Sequence, residues 1–128
     1  MSQELILIRG LPGSGKTTWA KSFTEHTHLE TDMYFEGTDG EYEWRADRLK
    51  AAHEWCLAQT MKELAAGFDV VVSNTFTQNW EMRPYKEGAK SLGVTVRILE
   101  AEGEFINIHN VPQETIYRMR TRWEKLDD

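Results

Sequence analysis

The chemistry-bearing residues of this chain gather first in Gly10-Leu-Pro-Gly-Ser-Gly-Lys-Thr17, which fits the spacing G-x-x-x-x-G-K-[ST] of a phosphate-binding loop. Gly13 and Gly15 permit backbone conformations closed to residues with a Cβ. Successive N–H groups can then converge on one phosphate at the positive end of the following helix. Lys16 adds a point charge able to bridge the β- and γ-phosphates. Thr17 offers a hydroxyl to a magnesium ion, which neutralises the oxygens between which a bond breaks. Pro12 stiffens the turn, and Leu11, Ser14 and Thr18 complete the expected contacts with ATP or GTP.

A cradle of this kind serves kinases, hydrolases and switches alike, so the carboxylates must decide. Asp32 follows the second predicted strand, and in a parallel sheet all carboxyl ends share one rim, which places it across the crevice from Lys16. There it can orient a substrate hydroxyl and accept its proton during in-line transfer; a turn or helix cap is the other role open to it. The third predicted strand ends in Asn74 and Thr75, where many enzymes with this loop carry a magnesium-linked acid, and no acid stands there. Asn74 could touch the metal as a neutral ligand or through water, or the pair could cap the next helix. The expectation is a kinase whose metal is held mainly by Thr17 and the nucleotide.

Phosphoryl transfer also calls for a cation over the developing charge. On the last predicted helix Arg118 points away from the apolar stripe, while Arg120 and Arg122 flank it. Arg118 pairs with Glu114 and Arg120 with Glu124 at i,i+4 spacing, whereas Arg122 has no such partner and is the first candidate. Arg45 and Arg48 are the others. His53 stands without a second histidine to make a metal pair. Phe76, Trp80 and Tyr85 could form a base-stacking platform, with core packing as the competing role.

The elements that must position these groups alternate strand, turn and helix, the signature of a parallel sheet covered by helices. Glu4 to Arg9 contains the run Leu5, Ile6, Leu7, Ile8, which suits a central buried strand. A helix is predicted from Lys16 to about His26, burying Trp19, Ala20 and Phe23. A short strand near Leu29 ends at Thr31 and Asp32, and Phe35 to Glu43, with Gly37 and Gly40, reads as a surface loop suited to a lid. A long helix from Trp44 to Ala66 places Leu49, Ala52, Cys56, Met61 and Leu64 in one stripe. Phe68 to Ser73 forms the third strand, Trp80 to Leu92 a helix, and Val94 to Leu99 the fourth strand. Pro112 announces the last helix, whose stripe is Ile116, Met119, Trp123 and Leu126.

At 128 residues, 40% of them apolar and 28% charged, the chain fits one domain spanning 1–128. The net charge of −6 excludes a general positive field for a long polyanion, so any nucleic acid must bind locally. No signal peptide or membrane-length apolar run is visible, which reads as cytoplasmic, and the one cysteine, Cys56, excludes an internal disulfide.

Leu5 to Ala20, then Thr-Asp-Met-Tyr-Phe, Ala-His-Glu-Trp-Cys, Val-Val-Val-Ser-Asn-Thr-Phe-Thr, Trp-Glu-Met-Arg-Pro-Tyr and His-Asn-Val-Pro-Gln-Glu-Thr-Ile together resemble the small AAA-type ATP-binding modules related to phage polynucleotide kinase, across nearly the whole chain. The resemblance implies a kinase-like P-loop NTPase fold: an α/β three-layer sandwich of about four parallel strands with helices on both faces. It also implies transfer of the γ-phosphate of ATP to a hydroxyl, such as the 5′-hydroxyl of a single-stranded nucleic acid, with Lys16, Thr17 and Asp32 in the roles above and Arg122 the lid candidate. Phe35 stands where the phage kinase has an arginine, Asn74 where it has an aspartate, and residues 101–111, where it carries lid arginines, contain none, His109 alone being able to take up a positive charge. A small-molecule or nucleoside kinase, and an ATP-holding switch without transfer, are the alternatives.

Overall fold

The run Leu5 to Ile8 has no exposed surface at all, because the strand that carries it lies inside the sheet with both faces covered. The computed structural model describes residues 3–36, 44–103 and 111–127; residues 37–43 of the loop expected over Phe35 to Glu43, and His109, lie outside these, while Phe35 itself is buried at the end of a 3-10 turn. Its elements are β1 (Glu4–Arg9), α1 (Lys16–Lys21), β2 (Thr27–Leu29), α2 (Leu49–Ala65), β3 (Val70–Asn74), α3 (Asn79–Ser91), β4 (Thr95–Glu100) and α4 (Gln113–Thr121). The strands form one parallel sheet in the order β2-β3-β1-β4, with Leu7 opposite Val72 on one side and Ile98 on the other.

Alternation along β1 divides the core in two. Leu5 and Leu7 pack with Leu29, Cys56, Leu64, Val72 and Met82 against α2 and α3. Ile6 and Ile8 pack with Ala20, Val71 and Phe23 against α1. The α/β sandwich with helices on both faces is therefore the observed architecture. Among the described residues no helix is long and apolar enough to cross a membrane.

Several boundaries differ from the sequence expectation. Helix α1 stops at Lys21, and Trp19 is 37% exposed because the short helix turns only Ala20 squarely onto the sheet. Strand β2 ends at Leu29, so Thr31 and Asp32 belong to a 3-10 turn, Thr31–Phe35. Another 3-10 turn, Ala46–Arg48, occupies what reads as the first turn of the long helix, and Leu49 is exposed. The buried stripe of α2 is Ala52, Cys56, Thr60 and Leu64, a strict four-residue spacing in which the Thr60 hydroxyl is satisfied by the Cys56 carbonyl at 2.7 Å. Phe76 and Tyr85 do not form a stacking platform: both are buried, edge to face at 5.4 Å, and only Trp80 of that trio is exposed.

Candidate functional site

The phosphate loop crosses the carboxyl end of the sheet, and its shape is fixed by backbone bonds to both neighbouring strand ends. Gly10 N–H donates to the Thr75 carbonyl at 3.3 Å, Ala101 N–H to the Arg9 carbonyl at 2.8 Å, and Gly103 N–H to the Ser14 carbonyl at 3.0 Å. Gly13 and Gly15 take left-handed φ values of 82° and 88°, the conformation that turns successive N–H groups inward. A Cβ on Gly10 would lie 2.3 Å from Ser14 Oγ and 3.0 Å from the Ala101 carbonyl, so only glycine lets the strand end approach so closely. Ser14 Oγ is buried and has no hydrogen-bond partner among the described residues. An orphaned hydroxyl beside inward N–H groups is the chemistry expected where an anion's oxygens belong.

Lys16 stands between two carboxylates. Burial pushes its ammonium pKa down, while first the Glu30 and then the Asp32 carboxylate pull it back toward the charged form. Asp32 thus lies near enough to Lys16 for its charge to act on the ammonium. Glu30, which sequence reasoning missed, is more deeply placed. Its Oε1 accepts the Thr17 hydroxyl at 2.6 Å and the Ser73 hydroxyl at 2.9 Å, and lies 3.2 Å from His28 Nε2. Burial alone would raise its pKa; the His28 hydrogen bond and charge, with the two hydroxyls, hold the carboxyl down at about 2. The oxygens of Thr17 and Glu30 are hard donors of the kind magnesium takes, so this pair fits the ion that the phosphate loop implies. The only signal in the sequence was an acid two residues before Asp32, at the end of a three-residue strand.

Asn74 is otherwise engaged. Its Oδ1 accepts the Thr31 N–H at 2.9 Å and its Nδ2 reaches Cys56 Sγ at 3.8 Å, so its amide positions the turn that carries Asp32. Neither Asn74 nor Thr75 caps α3, where Gln78 is the cap residue and its N–H donates to Glu81 at 2.9 Å. His53 lies 3.4 Å from Thr31 Oγ1 through Nδ1.

On the other side of the loop lies a cavity of about 560 Å³, walled by Leu11 to Ser14, the strand exit Glu100 to Gly103, and Ile116, Arg120 and Trp123. Arg120 lines it. Arg122 does not; its Nε donates to Thr77 Oγ1 at 3.3 Å. The wall at Trp123 is held from behind by Arg9, which has no exposed surface. Arg9 donates to the carbonyls of Phe76 and Thr77 at 3.0 and 3.1 Å and to Glu100 at 3.1 Å, and its guanidinium lies 3.9 Å from the centre of the Trp123 ring. The tail beyond α4 is fastened by Asn79, whose Nδ2 donates to the Lys125 carbonyl and whose N–H donates to Glu124, each at 2.8 Å.

A parallel sheet with a glycine-rich loop joining its central strand to a helix, and two carboxylates facing the loop lysine, defines a P-loop protein of kinase-like fold. The family model for an AAA domain matches residues 5–103, and the chain belongs to that family. The chain is 31% identical to human (Homo sapiens) NEDD4-binding protein 2 over 94% of its own length, but it spans only 8% of that protein. Among solved structures it resembles a chain of the Pnkp1/Rnl/Hen1 RNA repair complex with a TM-score of 0.65 and 16% identity, covering 95% of this chain and 44% of that one. It also resembles the Mycobacterium tuberculosis APS kinase in complex with AMPPNP and APS, with a TM-score of 0.57 and 13% identity over 91% of this chain and 68% of that one.

Proposed function

We propose that residues 1–128 act as one nucleotide-binding domain that transfers the γ-phosphate of ATP to a hydroxyl, the acceptor being the 5′-hydroxyl of a polynucleotide. The observation that carries this reading is the convergence of Lys16, Thr17, Glu30 and Asp32 on one rim of the sheet. A module that only held a nucleotide would need the first two; a second carboxylate that acts on Lys16 and is half-exposed at the rim can take a proton from a hydroxyl. In this reading the N–H groups of Gly13 to Thr18 hold the β-phosphate and Lys16 spans to the γ-phosphate. Asp32 orients the acceptor oxygen in line and takes its proton. Thr17 and Glu30 would hold magnesium, which when bound neutralises charge on the phosphate oxygens. The nucleoside lies in the cavity beside Trp123, and Arg120 rather than Arg122 supplies the cation near the phosphates. The likeness to a chain of an RNA repair complex agrees with a nucleic-acid acceptor.

The test is transfer of label from γ-labelled ATP to 5′-hydroxyl oligonucleotides, with nucleosides and buffer as controls and GTP as competing donor. Label on the oligonucleotide is expected. Asp32→Asn should lower kcat about 10²- to 10⁴-fold while leaving ATP affinity within about twofold. Tight ATP binding without transfer to any acceptor would sink the proposal.

A further inference from the structure

We infer that the acceptor is recognised through an aromatic base adjoining its reactive hydroxyl, stacked on the exposed indole of Trp44 with Arg45 and Arg48 beside it for phosphate; this rests on the phosphotransferase reading of Asp32. The turn Thr31–Phe35 that carries Asp32 is a 3-10 helix, so Asp32 and Phe35, three residues apart, stand on one face about 6 Å apart along its axis. Phe35 is buried, and the Trp44 ring lies 6.3 Å from it at a tilt of 49°. Tyr34 meets Phe35 edge-on at 5.5 Å and reaches Trp55 of α2 at 6.1 Å. Phe35 and Trp55 are explained by packing, since they seat the turn against α2 and thereby hold Asp32 in place.

Trp44 is not explained in that way. It leaves 51% of its surface open at the outer end of this aromatic row. Both arginines of the segment are exposed, Arg45 held 3.0 Å from Asp47. An open ring one buried ring away from a hydroxyl-activating carboxylate, followed in the chain by two exposed arginines, Arg45 paired with Asp47 and then Arg48, matches the combination of stacking and local charge that grips single-stranded nucleic acid. An inorganic acceptor would make no use of an open indole. The chain's net charge of −6 confines the grip to the terminal nucleotides, because no wider positive field is present to hold a long strand.

The experiment is equilibrium binding, without ATP, of a short 5′-hydroxyl oligonucleotide and of the same strand with an abasic first residue, followed by quenching of tryptophan fluorescence or by anisotropy of a 3′ dye. Wild type should bind the base-bearing end about tenfold or more tightly. Trp44→Ala should remove that advantage without weakening ATP binding, Trp44→Phe should restore most of it, and Asp32→Asn should leave it intact. Equal affinity for the two ends, or Trp44→Ala binding both as wild type does, overturns the inference. Thymidine and glycerol as acceptors in the labelled-ATP assay separate the two levels of the argument. Transfer to glycerol as fast as to the oligonucleotide leaves the kinase standing and removes the stacking site. Trp44-dependent binding with no transfer removes the kinase and leaves the site.

Discussion

Replacing Glu30 by glutamine keeps the shape of the side chain and removes its charge, and the cost can be worked from its surroundings. The carboxyl is held at about 2 against an ordinary 4.5, and each unit of pKa corresponds to about 1.4 kcal/mol. The carboxylate form therefore stabilises the ligand-free fold by about 3 kcal/mol. The contacts give a similar figure: Thr17, Ser73 and His28 all meet Oε1, and turning a charge-assisted bond into a neutral one loses about 1 kcal/mol each. Because the folded pKa is depressed, this stabilisation is fully present above about pH 4.5 and is lost as pH falls toward about 2, with about 1 kcal/mol gone by pH 3.5. Urea denaturation of wild type and Glu30→Gln, without nucleotide or magnesium, should show a gap of about 2–3 kcal/mol at pH 7 that narrows on acidification. A gap that stays flat or widens between pH 6 and pH 3.5 would refute the reasoning.

Gly10→Ala should weaken ATP binding at least about tenfold and destabilise the fold by about 1–3 kcal/mol, read by calorimetric titration and thermal melting, because its Cβ would collide with Ser14 and the Ala101 carbonyl. Arg120→Ala should cut transfer or ATP affinity more than Arg122→Ala, whose loss is confined to the Thr77 contact; the reverse order in steady-state kinetics would restore Arg122 as the lid cation. Arg9→Leu should cost about 3 kcal/mol in urea denaturation, since two buried carbonyls and Glu100 lose their donor together.

The central strand, the phosphate loop and the alternation of strands and helices were legible in the sequence because each rests on contiguous residues whose pattern has one physical meaning. Leu5 to Ile8 could only be a strand buried on both faces, and Gly13 and Gly15 could only mark a backbone turned inward. Asp32 was legible through topology, since parallel strands deliver their carboxyl ends to one rim. Glu30 was not, because its role depends on Thr17, Ser73 and His28, which three separate elements bring together. Arg9 was hidden for the same reason: nothing local distinguishes a buried arginine from a surface one. The choice of Arg122 over Arg120 rests on pairing rules for an isolated helix, whereas in the folded chain Glu124 accepts the Asn79 N–H, Arg120 lines the cavity and Arg122 reaches Thr77. The exposure of Trp44 is not legible because its run reads as one helix from Trp44, whereas α2 begins at Leu49 and Trp44 precedes even the turn Ala46–Arg48.

The backbone bonds that fasten the phosphate loop have a consequence for how the protein comes to be. The motif occupies eight consecutive residues, yet its ties run to Thr75 and Gly103, each more than 60 residues away in sequence. Loop-closure entropy makes such distant pairings late events on a folding pathway. The cradle therefore matures only after the strands on either side of β1 have paired. A nucleotide held as proposed would arrive as a ligand for the finished sheet, and its binding energy would be returned as stability to residues that never touch it.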